Sequence, residues 1–183
     1  MLTEKETIRC EAIFNDDKTH RYYWKRVWDK DKPLLTVIML HPCFADTVVC
    51  DTTTFLVVNN VMRLGEYGGV TIVNLYSKLT EKLVFRWEAE SEIIGDDNDT
   101  YIKRAALEVD DIVLAWGRGA YCVKTIVDRI DSVVKTLHEL NKNLFVISDG
   151  VKKGLHPLTP SIRAKWQLEP YSEVQTIQTD EQQ

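Results

Sequence analysis

Blocks of apolar residues separated by short polar punctuation run the length of the chain, and their lengths alternate between strand-like and helix-like. Arg21–Val27 sets Tyr22, Tyr23, Trp24 and Val27 among basic residues and reads as a strand, closed by a turn at Lys30-Asp31-Lys32-Pro33. Residues 34–40 are almost unbroken apolar, as a strand covered on both faces requires, and Pro42 stops them just after His41. Over residues 52–64, Phe55, Val58 and Val61 or Met62 recur at helical spacing, with Asp51 or Thr52 as N-cap and Gly65 at the far end. Gly68-Gly69 then introduces a second buried strand over 70–75, and residues 76–86 form a polar excursion. The pattern predicts a helix over 97–109, a third buried strand over 112–115, a long amphipathic helix over 121–140 and a fourth buried strand over 144–147.

Strand and helix alternating in this way predict a three-layer α/β/α fold with a mainly parallel central sheet. At 183 residues and 44% hydrophobic content the chain suits one domain, expected over residues 1–174, with a polar tail over 175–183. The net charge of −5 argues against a protein that coats nucleic acid without selectivity, since such affinity comes from neutralised phosphates. Basic residues nevertheless gather at Arg21, Lys25 and Arg26 and again at Lys152, Lys153, Arg163 and Lys165, beside the expected site, where they suit a phosphate-bearing ligand. The four cysteines Cys10, Cys43, Cys50 and Cys122 have neither zinc-finger spacing nor a CxxC pair, so free thiols and no metal or other cofactor are expected. No apolar run reaches the roughly 18 residues of a membrane span, and the first ten residues have no apolar signal region, so a cytoplasmic protein without membrane contact is expected.

Each buried strand ends in residues able to meet a ligand, and in an open α/β sheet such ends converge on one crevice. The first is followed by Leu40-His41-Pro42-Cys43, the second by Asn74-Leu75-Tyr76, the third by Trp116-Gly117-Arg118-Gly119, and the fourth, after a turn at Asp149-Gly150, by Leu155-His156-Pro157-Leu158. A side-chain amide such as Asn74 offers donor and acceptor together and can read the edge of a nucleobase; capping its own strand end is the competing role.

Several short blocks, taken in order, resemble the domain of unknown function family 1643 found in bacteria and phages: Arg21-Tyr22, Trp28-Asp29, His41-Pro42-Cys43, Asp51-Thr52-Thr53, Gly68-Gly69, Val73-Asn74-Leu75, Asp96-Asp97-Asn98-Asp99, Ala115-Trp116-Gly117 and His156-Pro157-Leu158. The likeness covers about residues 14–160. His41-Pro42, Val73-Asn74-Leu75, Ala115-Trp116-Gly117 and His156-Pro157-Leu158 also resemble, more distantly, the strand-end series of the uracil-DNA glycosylase superfamily. That second likeness implies the glycosylase-like version of the fold and a nucleobase-processing enzyme that hydrolyses an N-glycosidic bond in DNA or a nucleotide. It implies that Asn74 hydrogen-bonds the base, that His156 stabilises the departing base anion, and that the segment from His41 through Pro42 to Phe44 holds the attacking water and stacks on the base. Asp46 or Asp51 can supply a carboxylate at the mouth of the first loop, with His41, Asp46 and His156 as the catalytic candidates. Pro42, Phe44, Asp51, Asn74, Tyr76, Trp116, Gly117 and Arg118 are the candidates for substrate binding. This chain departs from both patterns at His41, which stands where the glycosylases carry Asp or Asn, and at Leu155, which stands where the unknown-function family has Arg. The alternative is a non-catalytic nucleotide- or nucleic-acid-binding protein, such as a phage or host interaction protein with a protein partner.

Overall fold

The computed structural model describes residues 1–43, 46–85 and 89–172. Seven strands form one sheet, and helices cover both of its faces. The strands are β1 (Arg9–Phe14), β2 (Arg21–Val27), β3 (Leu34–Met39), β4 (Gly69–Asn74), β5 (Asp111–Leu114), β6 (Asn143–Ser148) and β7 (Gln167–Pro170), and the helices are α1 (Thr52–Leu64), α2 (Glu90–Ile94), α3 (Asn98–Leu107) and α4 (Lys124–Glu139). The sheet order is β1-β2-β4-β3-β5-β6-β7. The expected mainly parallel sheet is corrected here: β4-β3-β5-β6 are parallel, but β1–β2, β2–β4 and β6–β7 pair antiparallel, half of the six pairings. The reason is connectivity. A short turn joins β1 to β2 as a hairpin, and the chain after β6 doubles back through a loop that holds only a 3₁₀ turn at Pro160–Ile162, so neither edge is built by a helical crossover.

The unbroken apolar runs follow from two-sided burial. In β3, Leu35, Val37 and Met39 pack with Val57, Val58 and Val61 of α1, while Ile38 turns to the opposite layer, where Ile102 and Ala105 of α3 and Ile126, Ile130 and Val133 of α4 lie. Even Thr36, fully buried on that side, gives its hydroxyl proton to the Ala105 carbonyl at 3.0 Å. Asp51 caps α1 through its carboxylate, which accepts from the Thr54 amide at 2.8 Å and the Thr54 hydroxyl at 3.1 Å, and Gly65 closes the helix at φ 79°. The helix expected over 121–140 divides into a 3₁₀ turn at Arg118–Cys122 and α4.

Two consequences of this order place the site. Successive parallel strands fall on opposite sides of β3, so the gap beyond the carboxyl ends of β3 and β5 is a topological switch point, where ligands bind in open α/β sheets. Because β2 runs against β4, the first residue of β2, Arg21, also lies at that edge of the sheet.

Candidate functional site

A cavity of about 270 Å³ opens at the switch point. His41 reaches it two residues beyond β3, and Trp116 two residues beyond β5. His156 arrives from β6 by a longer route. The Asp149 carboxylate folds the intervening loop by accepting from the Val151 and Lys152 amides and from the Ser161 hydroxyl, bonds that pull it down to about 2. The Leu155 amide then donates to the Ile147 carbonyl at 3.0 Å, returning the chain to the strand end one residue before His156.

The backbone assigns the tautomer of each imidazole. The Leu158 amide donates to Nδ1 of His156 at 3.2 Å, so in the neutral ring Nε2 carries the proton and is its donor. His41 is the reverse. Its Nδ1 donates to the Pro42 carbonyl at 3.3 Å, leaving Nε2 of the neutral ring as an acceptor. Burial holds His41 below its ordinary value, against backbone hydrogen bonding at Pro42 and Thr80, and burial followed by repulsion from His41 holds His156 down as well. The pair is therefore neutral near pH 7, one ring ready to accept a proton and the other to donate a hydrogen bond.

Since both folded values lie below the unfolded value of 6.5, the unfolded chain binds more protons in the interval between them. The stability these rings contribute is complete above about pH 6.5 and is lost as pH falls through it towards the folded values. Urea midpoints measured on either side of that interval should fall with pH in the native chain and fall less in a His41→Gln/His156→Gln variant. An unchanged slope would show that the rings are not held neutral by the fold.

The remaining sequence candidates separate. Pro42 and Asp51 line the same cavity as the two histidines and Trp116, whose Nε1–H donates to the Tyr121 hydroxyl at 3.2 Å and fixes the indole as a flat wall. Gly117 supports the site from behind: at φ 83° a Cβ built on it would stand 2.8 Å from Cβ of His156. Asp46 is exposed and does not line the cavity; its carboxylate accepts from the Val48 and Val49 amides, both at 2.7 Å, and so shapes a turn. Tyr76 is buried in the other layer, its hydroxyl donating to Glu90 at 3.3 Å, and Arg118 is exposed outside the cavity. Phe44 and the expected tail over 175–183 lie outside the described residues.

Asn74 is the unusual case. It is the register partner of cavity-lining Met39 yet does not line the cavity itself. It is 1% exposed, and neither its amide nitrogen nor its amide oxygen has a hydrogen-bond partner. Its backbone is held instead: the Asn98 side chain donates to the Asn74 and Leu75 carbonyls, both at 3.0 Å. A buried amide left unsatisfied costs about 1–3 kcal/mol per group. Asn74→Leu should thus raise stability by about 1 kcal/mol or more in thermal unfolding while removing any recognition of a ligand edge. A fall in stability would show that the amide is satisfied within the fold.

Sequence reasoning missed Thr53 and Glu81 as cavity-lining residues, placed Arg21 only in a basic cluster beside the site, and carried Cys43 only within the segment from His41 to Phe44. The signal for Arg21 was present, a cation opening an otherwise aromatic strand, but the antiparallel placement of β2 was needed to bring it to the strand ends. Burial lowers its guanidinium to about 10, against the attraction of Asp51 and of the thiols Cys43 and Cys50, so it keeps its charge.

The model of a protein family of unknown function, DUF1643, matches residues 21–158. The chain belongs to the DUF1643 family. That span begins at Arg21 and ends at Leu158, both cavity-lining, and contains every described residue that lines the cavity along with β2 to β6, while β1 and β7 fall outside it. The part of this DUF1643 chain that defines the family is thus the part that builds the site. No curated protein and no solved structure matches the chain. Among the described residues no helix is long and apolar enough to cross a membrane, and all four cysteines are free thiols.

Proposed function

We propose that the protein is a nucleobase-processing enzyme that hydrolyses an N-glycosidic bond in DNA or a nucleotide. The observation that carries this reading is the pair of oppositely disposed imidazoles, His41 as acceptor and His156 as donor, on one cavity at the switch point of the sheet. As the bond between sugar and base breaks, positive charge develops on the sugar and negative charge on the base. Nε2 of His41 takes a proton from the water whose oxygen bonds to the anomeric carbon, and Nε2–H of His156 donates to the base as it leaves with the bonding electrons. Trp116 offers a flat surface to a base that has left its stack. A volume of about 270 Å³ suits one ring system, being near the lower end of small-molecule sites, roughly 300 Å³. The parallel core, β4-β3-β5-β6, follows the order 2-1-3-4, which is compatible with a glycosylase-like fold. The cytoplasm is the proposed site of action, where reducing conditions keep the four cysteines as thiols.

The position of Asn74 favours a second reading, a binder that captures a nucleotide or nucleic acid without cleaving it, since the expected base-reading amide is buried beside Met39 and does not line the cavity. Incubation with oligonucleotides and nucleotides carrying uracil, hypoxanthine or modified bases separates the two. The enzyme reading expects free base from the native chain and none from His41→Ala. Ligand-induced stabilisation with no base released from any substrate leaves the binder.

A further inference from the structure

One charged side chain of the layer opposite α1 has no part in the chemistry above. On α4, Ile126, Ile130, Val133, Val134 and Leu137 form the buried face, and Arg129 sits among them at 7% exposed. Taking a guanidinium out of water is costly, and an apolar residue of similar volume in its place is often neutral or stabilising. Its bonds show what the charge does. The end of the planar fork meets both oxygens of Asp99 on α3, and Nε donates to the Leu75 carbonyl at 3.0 Å. The Asn98 side chain donates to the same carbonyl and to that of Asn74, so α3 and α4 together grip the chain where it leaves β4.

That stretch of chain in turn carries the backbone of His41. The Leu75 amide donates to the Met39 carbonyl at 2.9 Å, the Tyr76 amide to the Leu40 carbonyl at 3.0 Å, and the Thr80 amide to the Pro42 carbonyl at 3.4 Å. Residues 75–80 thus run as a rail beside the end of β3 and the His-Pro step, and the rail is pinned at Leu75. We propose that Arg129 is a positioning residue for the site: through the Leu75 carbonyl, with Asp99 holding its fork, it fixes the backbone that sets His41 at the cavity. It does not line the cavity and touches no substrate there. The inference rests on the reading above only for the step that His41 performs. Stability does not call for this arrangement, because the Asp99 side chain is 63% exposed and water can serve it, and because the Leu75 carbonyl keeps its bond from Asn98. What Arg129 adds is a fixed distance between α4 and the strand end, and a misplacement of about 1 Å far from the reacting atoms can cost on the order of a hundredfold in rate.

The test compares Arg129→Met with the native chain by melting temperature, by the titration of the His41 and His156 ring protons in NMR, and by kcat and KM on whichever substrate releases base. The methionine keeps an apolar stem and leaves no buried charge behind, so the melting temperature should stay within a few degrees of the native one. The His41 midpoint should rise towards its ordinary value as water reaches the ring, while that of His156, carried by the loop after β6, should move less. In the same variant kcat should fall roughly ten- to hundredfold with KM nearly unchanged. Asp99→Asn, at an exposed position, leaves the fork one oxygen; it should shift His41 the same way by a smaller amount, and it decides the matter should Arg129→Met not fold. The proposal is overturned if His41 titrates in these variants as it does in the native chain, or if the two rings shift alike, as a general loosening of the core would make them do. The ring readout needs no turnover. A displaced His41 with no base released by any chain would keep the positioning role and remove the enzyme reading; native base release from Arg129→Met with an unmoved ring would do the opposite.

Discussion

Replacing His156 with alanine is expected to lower base release by about 10²- to 10³-fold with little loss of stability. The rate effect is the usual consequence of removing one preorganised donor from a developing negative charge. The stability effect is small because the interaction lost is a single bond from the Leu158 amide, and Leu158 is exposed enough for water to replace the acceptor. Single-turnover kinetics on whichever substrate releases base, set beside urea denaturation of the same variant, checks both parts. His156→Gln, which restores a side-chain donor, should recover part of the rate. A variant as fast as the native chain would remove His156 from the reaction.

Gly117→Ala carries the second large effect, and it acts on both stability and function. Gly117 has φ 83° and ψ 158°, a region almost closed to residues with a Cβ, and the added methyl would meet Cβ of His156 at 2.8 Å. The atom it meets is the base of a side chain whose backbone is fixed by the turn from Leu155 to Leu158, so rotation of a flexible tip cannot relieve the contact. Backbone strain and overpacking together should cost about 2–4 kcal/mol. Whatever relief occurs must move His156 away from the strand end. The variant should therefore melt several degrees lower, and the His156 ring resonance should shift in what remains folded. Gly119→Ala, where an added Cβ meets nothing within 4 Å, is the matched control and should be near neutral.

How much of this was legible in the chain follows from burial. The four parallel strands could be read because covering both faces leaves unbroken apolar runs, and the two His-Pro steps because proline ends a strand where a crevice begins. β1 and β7 could not be read in the same way. They are half-exposed edge strands, and Pro170 is tolerated because, among the described residues, β7 has no further neighbour. At the site, a strand-end position fixes where a residue is in the sheet but not which layer its side chain enters. Tyr76 enters the opposite layer, Asn74 is buried beside its register partner Met39 without lining the cavity, and Arg118 lies outside it after the positive-φ turn at Gly117. Asp46 and Asp51 are five residues apart and chemically identical, yet one shapes an exposed turn while the other caps α1 at the cavity. Arg21 became a site residue only through the direction of β2, a property of topology that no local pattern encodes.

The crystal structure of the protein with a nucleobase or nucleotide bound is the most direct test of whether His41 and His156 act on one substrate. The account predicts the base against Trp116 with one of its polar atoms within hydrogen-bond reach of Nε2 of His156, and a water within reach of Nε2 of His41. A base seated elsewhere on the molecule, or one that touches neither ring, would contradict it.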